Sequence, residues 1–423
     1  MKIGRNQSLF AVIAAGMILL SACSGSNSPA PTETVNPTEI QAYVNQTLAA
    51  LPTQTSLPTD TATPTLVPTV TQTPTVTLTP TVTNTPTPTA TSTPAAVGPA
   101  NFPANIDPLT GLAVADVSLL DRRPVMIKVA NYPASGRPHA GLSFADIVFD
   151  YYIGEGANRF LALFYGQDST KVGPIRSGRL VDAQLVPMYQ GILGFEYAWA
   201  PIYERILSAL GRRAFTGGPN TCPAICTDTD PPTVISHFAD TAKLTEYAAA
   251  HGVDRVRPKL DGMAFDMTAP AGGKAAQTVT VQFSFHNIGE WRYDAPSGKY
   301  LRWIENIDDK QNLTLVPLTD RITNQQLAFS NVVILYTEYI EYASAYHDIP
   351  LVGKRGKMVL YRDGQAFEGT WFAARFDQPL QFFDANKKPL FFKNGNTWIN
   401  LVGVNSLMTE PKPGTWLLKF SIP

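Results

Sequence analysis

The chain is poor in the residues that most often announce chemistry. Its 423 residues hold 3 cysteines and 5 histidines. No CxxC pair and no histidine pair stands at metal-ligand spacing, so no metal site is expected. Charged residues make up only 16%, against roughly 25% in ordinary soluble domains. The two signs nearly cancel, 33 Lys+Arg against 34 Asp+Glu, for a formal net charge of -1. That balance excludes a protein that grips nucleic acid by bulk neutralisation of phosphates, and no nucleic-acid partner is expected. Beyond the N-terminal segment no apolar run reaches the roughly 18 residues that a membrane helix needs. The signatures GxSxG, GxxxxGK[ST], HExxH and GxGxxG are all missing, and no cofactor is implied.

What is present is strongly segmented. Lys2 and Arg5 precede an apolar run from Leu9 to Leu20, followed by Leu20-Ser21-Ala22-Cys23. This is the layout of a secretory signal over residues 1–22, with small residues before the cleavage point. The last four residues read as a lipobox, which makes Cys23 the lipidation site and the membrane the first partner. Several acyl chains hold a soluble body at a bilayer where a single chain binds only marginally. The expected address is therefore extracytoplasmic, as a membrane-anchored lipoprotein of the cell envelope.

Residues 23–100 are expected to be a disordered Thr/Pro tether. Pro52 to Pro94 contains 19 Thr and 9 Pro, with prolines recurring in steps of six. Each proline fixes its own φ and biases its predecessor to extended geometry. Such a spacer reaches up to ~200 Å. A short helix is predicted over residues 37–51, capped by Asn36.

The rest is expected to be α+β: an N-terminal α/β-type domain over 101–272 and a β-rich C-terminal domain over 273–423. Short β-branched or aromatic runs predict strands at 125–131, 147–153, 160–165 and 192–199. Helices are predicted over 178–186, 202–210 and 241–251, the last capped by Asp240. In the second part, strands are predicted at 279–285, 291–293, 299–304, 332–340, 379–383, 389–392, 397–403 and 416–420. Asp363-Gly364 signals a hairpin between 357–361 and 365–372. Cys222 and Cys226, the pair left once Cys23 carries lipid, read as a disulfide in an exported protein.

The most informative stretch runs from Asp146 to Asp182. Arg176 and Arg179 are expected at or just inside a helix N-terminus, which already carries partial positive charge. Two cations there call for an anion. It is either internal, from Asp150, Glu155 or Asp182, or a ligand phosphate, sulfate or carboxylate. The ligand-binding candidates are Glu155, Arg159, Arg176, Arg179 and Arg137. Glu155 and His139 are the catalytic candidates for acid–base work.

Several ordered stretches resemble one family. They include Asn105-Ile106-Asp107-Pro108-Leu109-Thr110-Gly111-Leu112, Arg123-Pro124-Val125-Met126-Ile127 and Val172-Gly173-Pro174-Ile175-Arg176-Ser177. Glu155-Gly156 with Arg159-Phe160-Leu161-Ala162, Gly369-Thr370-Trp371 and Gly395-Asn396-Thr397-Trp398-Ile399 extend the match. Over about residues 104–405 the chain resembles the DUF3048 family of bacterial lipoproteins. The resemblance implies a two-domain α/β plus β arrangement and no established catalysis. The Cys222–Cys226 loop is not a feature of that family.

The expected function is a lipid-anchored envelope module that binds an anionic or cell-wall-associated ligand or a partner protein. The alternative is an envelope hydrolase or transferase acting on glycan or phosphate-containing polymer.

Overall fold

A central strand that is buried on both sides organises the molecule. The computed structural model describes residues 96–228, 235–344 and 346–422. The signal, Cys23, the helix expected over 37–51 and all but the last five residues of the tether lie outside them, and of those five Val97 pairs with Phe265, so the folded body starts before the expected boundary at 100. Strand β1 (Val125–Ala130) is buried at every position, as a strand covered on both faces must be. It pairs antiparallel with β3 (Ala157–Phe164) and parallel with β4 (Ile192–Phe195). Strand β2 (Ile147–Gly154) forms a hairpin with β3, and β5 (Ala214–Thr216) lies beyond β4.

The sheet does not stop at the boundary expected near residue 272. Strand β2 pairs parallel with Thr397–Gly403, which pairs parallel with Asn331–Thr337. The Arg355–Arg362 and Gln365–Phe372 hairpin and Gln381–Phe383, with the short Lys274–Ala275 beside Gln365–Phe372, continue it into an 11-stranded mixed sheet. Asp363 and Gly364, at φ 51° and 68°, make the tight turn of that hairpin. A second, 7-stranded sheet is built from Thr278–Ser284, Asn287–Asp294, Lys299–Ile307, Leu313–Pro317, Thr415–Lys419 and Leu407–Lys412, with Ala328–Phe329 at its side.

Alternation places the core. On one face of the large sheet Met126, Phe149, Tyr151 and Leu161 meet helices α1 (Asp182–Met188) and α2 (Ala200–Leu210). On the other, Ile127, Val129, Phe160 and Trp398 meet Val279, Trp291 and Ile304 of the second sheet. Helix α3 (Thr241–Ala250) also packs on that side through Leu244 and Ala248, with the Asp240 carboxylate accepting the Lys243 N–H at 3.0 Å. The body is thus mostly strand, with few helices, and α+β. Among the described residues no helix is long and apolar enough to cross a membrane.

Three expected elements are redrawn. The helix expected from Gly178 begins at Asp182, because Pro174–Gly178 is held extended beside β1: the Ala130 N–H donates to Pro174 O and the Arg176 N–H to Lys128 O. The strand expected over 192–199 ends at Phe195, since Pro201 in the first turn of α2 takes the chain into helix. The strand expected over 332–340 ends at Thr337, and Ile340–Ala343 forms a separate hairpin with Tyr346–Asp348. Cys222 and Cys226 are joined in a disulfide, with Cα atoms 4.7 Å apart.

Candidate functional site

Strands β1 to β3 and the segment before α1 gather four cations, three of which share one carboxylate. Lys128 comes from β1, Tyr151 from β2, Arg159 from β3 and Asp182 from the start of α1. Arg176 and Arg179 come from the extended segment and turn before α1, not from a helix N-terminus as expected. The Lys128 ammonium donates to the Tyr151 hydroxyl and to Asp182 Oδ1, the latter at 3.3 Å. The Tyr151 hydroxyl donates to the same Asp182 oxygen, and Asp182 Oδ2 accepts the Arg179 N–H at 2.7 Å. Lys128 and Asp182 are completely buried, and so is Tyr151.

Burial pushes the Lys128 ammonium down to about 7; Asp182 opposes the shift, while Arg159 and Arg179 reinforce it. Arg159 is pushed down to about 9 by burial and by its neighbours Arg179 and Arg176. The guanidinium groups spend few donors on the protein. Arg159 Nη1 donates to Ser177 O at 2.7 Å, and Arg179 Nη1 to Gly178 O at 2.8 Å. The buried Nε atoms of Arg176 and Arg179 meet no acceptor among the described residues. The Arg179 guanidinium lies 5.5 Å over the Tyr346 ring, which stacks on Trp199 at 5.0 Å.

Glu155 and Arg137 lie elsewhere. Glu155 is exposed at the tip of the β2–β3 hairpin, held at φ 53° between Gly154 and Gly156. Arg137 crosses to the second sheet, where Nη2 donates to Glu305 Oε1 at 2.6 Å. Both line a cleft of about 830 Å³ between the hairpin and the second sheet. The acid–base role considered for His139 does not fit its surroundings. It is wholly buried, its Nε2 bonds Ala130 O at 2.9 Å, and its ring meets Phe160 edge-on. Burial, with Arg137 nearby, pushes it down to about 3, so it stays neutral and out of a substrate's reach.

Sequence reasoning missed Lys128 and Tyr151. The available signal was a lysine inside the otherwise apolar Val125–Ala130 run, which a strand buried on both faces tolerates only with partners.

A second buried polar pair ties the layers together. Asp150 on β2 lies 3.8 Å from Arg302 of the second sheet, whose guanidinium sits 4.8 Å from the Trp291 ring and 5.2 Å from Trp398.

The body is thus a two-sheet α+β scaffold carrying an arginine-lined polar centre. Residues 109–254 match the family model "Protein of unknown function (DUF3048) N-terminal domain". Residues 279–399 match its C-terminal domain. The chain belongs to the DUF3048 family. It is 26% identical over 310 residues to "Putative lipoprotein YerB" of Bacillus subtilis (strain 168), covering 70% of this chain and 85% of that one. The crystal structure of the YerB protein from Bacillus subtilis superposes with a TM-score of 0.56 at 25% identity, covering 70% of this chain and 96% of that one.

Proposed function

We propose that the protein is a lipid-anchored envelope module that binds an anionic group through Arg159, Arg176 and Arg179, with the buried Lys128 acting from beneath them by its charge. One observation carries this reading: three cations, Lys128, Arg159 and Arg179, share a single carboxylate, Asp182, Arg176 adds a fourth positive charge beside Arg159 and Arg179, and buried Nε donors of Arg176 and Arg179 are left unpaired. Like charges this close are unfavourable without a counter-charge, and guanidinium forks match phosphate, sulfate and carboxylate oxygens. The stacked Trp199 and Tyr346 give the ligand a ring surface beside Arg179. The Leu20-Ser21-Ala22-Cys23 lipobox, and a relative named as a lipoprotein, support the address. The tether supports a ligand held away from the membrane, on wall polymer or on a partner protein.

The hydrolase or transferase alternative drew on Glu155 or His139 as its acid–base group. Neither stands with the arginines, so binding is the better-supported reading. Calorimetric titration with sulfate and with inorganic polyphosphate tests it. Arg176→Ala weakens binding about tenfold, the worth of one charge-assisted hydrogen bond. No binding by the wild type, or equal binding by the variant, removes the anion site.

A further inference from the structure

The cleft behind the β2–β3 hairpin is chemically unlike the arginine centre. Its titratable lining is Tyr132, Arg137, Glu155, His286 and Glu305. The single guanidinium is already used: Arg137 donates to Glu305 Oε1 at 2.6 Å, to Glu305 O at 3.1 Å and to Asn131 O at 3.1 Å. The second Glu305 oxygen accepts the Ile288 N–H at 2.9 Å. The carboxylate of Glu155 is thus the free charge of the cleft, and a ligand anion would meet repulsion there.

The unmet groups are acceptors. Glu155 is exposed and has no polar partner among the described residues. Asn131, 2% exposed, donates through Nδ2 to Asn158 Oδ1 at 2.6 Å, while its own Oδ1 has no partner. The cleft also presents large aromatic faces, Tyr132 at 63% and Phe285 at 56% exposure. A ligand that suits this lining carries several O–H donors, flat C–H faces and no negative charge.

We propose that this cleft is a binding site for a neutral oligosaccharide. Sugar hydroxyls donate to the exposed Glu155 carboxylate, and the pyranose faces lie against Tyr132 and Phe285. The volume of about 830 Å³ suits a short oligosaccharide. Glu155 belongs to this site rather than to the arginines. Its φ of 53°, followed by Gly156 at 76°, is what the two-residue turn of the β2–β3 hairpin requires, and it sets the side chain at the tip.

The test uses the full chain, with N,N′,N″-triacetylchitotriose and maltotriose as neutral probes and tetralysine as a cationic peptide. Binding is followed by saturation-transfer NMR and calorimetry. At least one trisaccharide binds, and Tyr132→Ala and Phe285→Ala each weaken it about fivefold, the scale of one aromatic contact. Both side chains are exposed, so folding is retained, which melting curves verify. Arg176→Ala leaves saccharide binding unchanged, so failure of the anion reading and failure of this one are told apart. Absence of binding by both trisaccharides, binding of tetralysine alone, or indifference to both aromatic variants overturns the proposal.

Discussion

Arg137, in the segment after β1, and Glu305, on the Lys299–Ile307 strand, close a salt bridge of 2.6 Å that joins the large sheet to the second one. Their side chains are only 13% and 4% exposed, so each charge depends on the other for its solvation. Removing one partner strands the other. Arg137→Leu is expected to cost about 3–5 kcal/mol in urea denaturation, as for other broken buried pairs. Arg137→Leu/Glu305→Leu should recover part of that loss. Strictly additive single-site effects would show that the pair does not brace the two sheets.

The position of Lys128 predicts a pH dependence of anion binding. Its ammonium is pushed down to about 7 by burial, so near neutral pH it is only partly charged. A bound anion favours the charged form and draws a proton onto Lys128. Sulfate, whose own charge is constant here, should therefore bind about tenfold or more weakly at pH 9 than at pH 6, one decade for each unit that binding raises the lysine. Lys128→Met should flatten this profile. Stability of the free protein runs the other way. The folded value lies below the unfolded 10.5, so the unfolded chain holds more protons between about 7 and 10, and the Lys128 contribution to stability rises with pH across that window. A sulfate affinity that does not change between pH 6 and 9 would place Lys128 outside the site.

Local patterns made many of the elements legible. The apolar run at β1, the Asp240 cap and the Asp363-Gly364 turn each announce a structure that forms from neighbours in sequence. The sheet that crosses both halves was not legible. The pairing of Ile147 with Thr397 joins residues 250 positions apart, and no local signal encodes it. The candidate site divides the same way. Arg159, Arg176 and Arg179 converge, but Glu155 sits at the tip of its hairpin and lines the cleft with Arg137. Lys128 and Tyr151 take their meaning only from Asp182, which α1 delivers from more than 30 residues downstream.

The Cys222–Cys226 disulfide should act locally. It closes a loop with a sequence separation of 4, for which chain entropy gives about 2 kcal/mol. Cys226 lies on Ile225–Thr227, which pairs with His237–Ala239 at the margin of the body. Cys222→Ser/Cys226→Ser should lower stability by about that amount and speed amide exchange in 222–228 while sparing β1 and β3. A loss several times larger, or exchange spreading into β1, would show that this loop holds the core.

Gly289 and Arg302 are packed so closely that the glycine is obligatory. A Cβ at Gly289 would fall 1.8 Å from Arg302 Nη1. Arg302 has little room to retreat, since it packs against both the Trp291 and Trp398 rings and faces Asp150. Burial pushes Asp150 up to about 7, against the pull of Arg302 and the hydrogen bond from Asn158. Displacing the guanidinium would therefore leave that carboxyl with less reason to ionise. Gly289→Ala should cost about 2 kcal/mol or more from overpacking alone. It should also shift the acid side of the stability profile. With its pKa raised above the unfolded 3.8, the folded Asp150 holds more proton than the unfolded chain between about pH 4 and 7, so its contribution falls as pH rises. Without Arg302 that fall steepens and extends to higher pH. Urea denaturation of both forms at pH 5 and pH 8 measures it: the gap between wild type and variant widens at pH 8. An equal gap at the two values would mean that Arg302 keeps its place and that the cost is steric only.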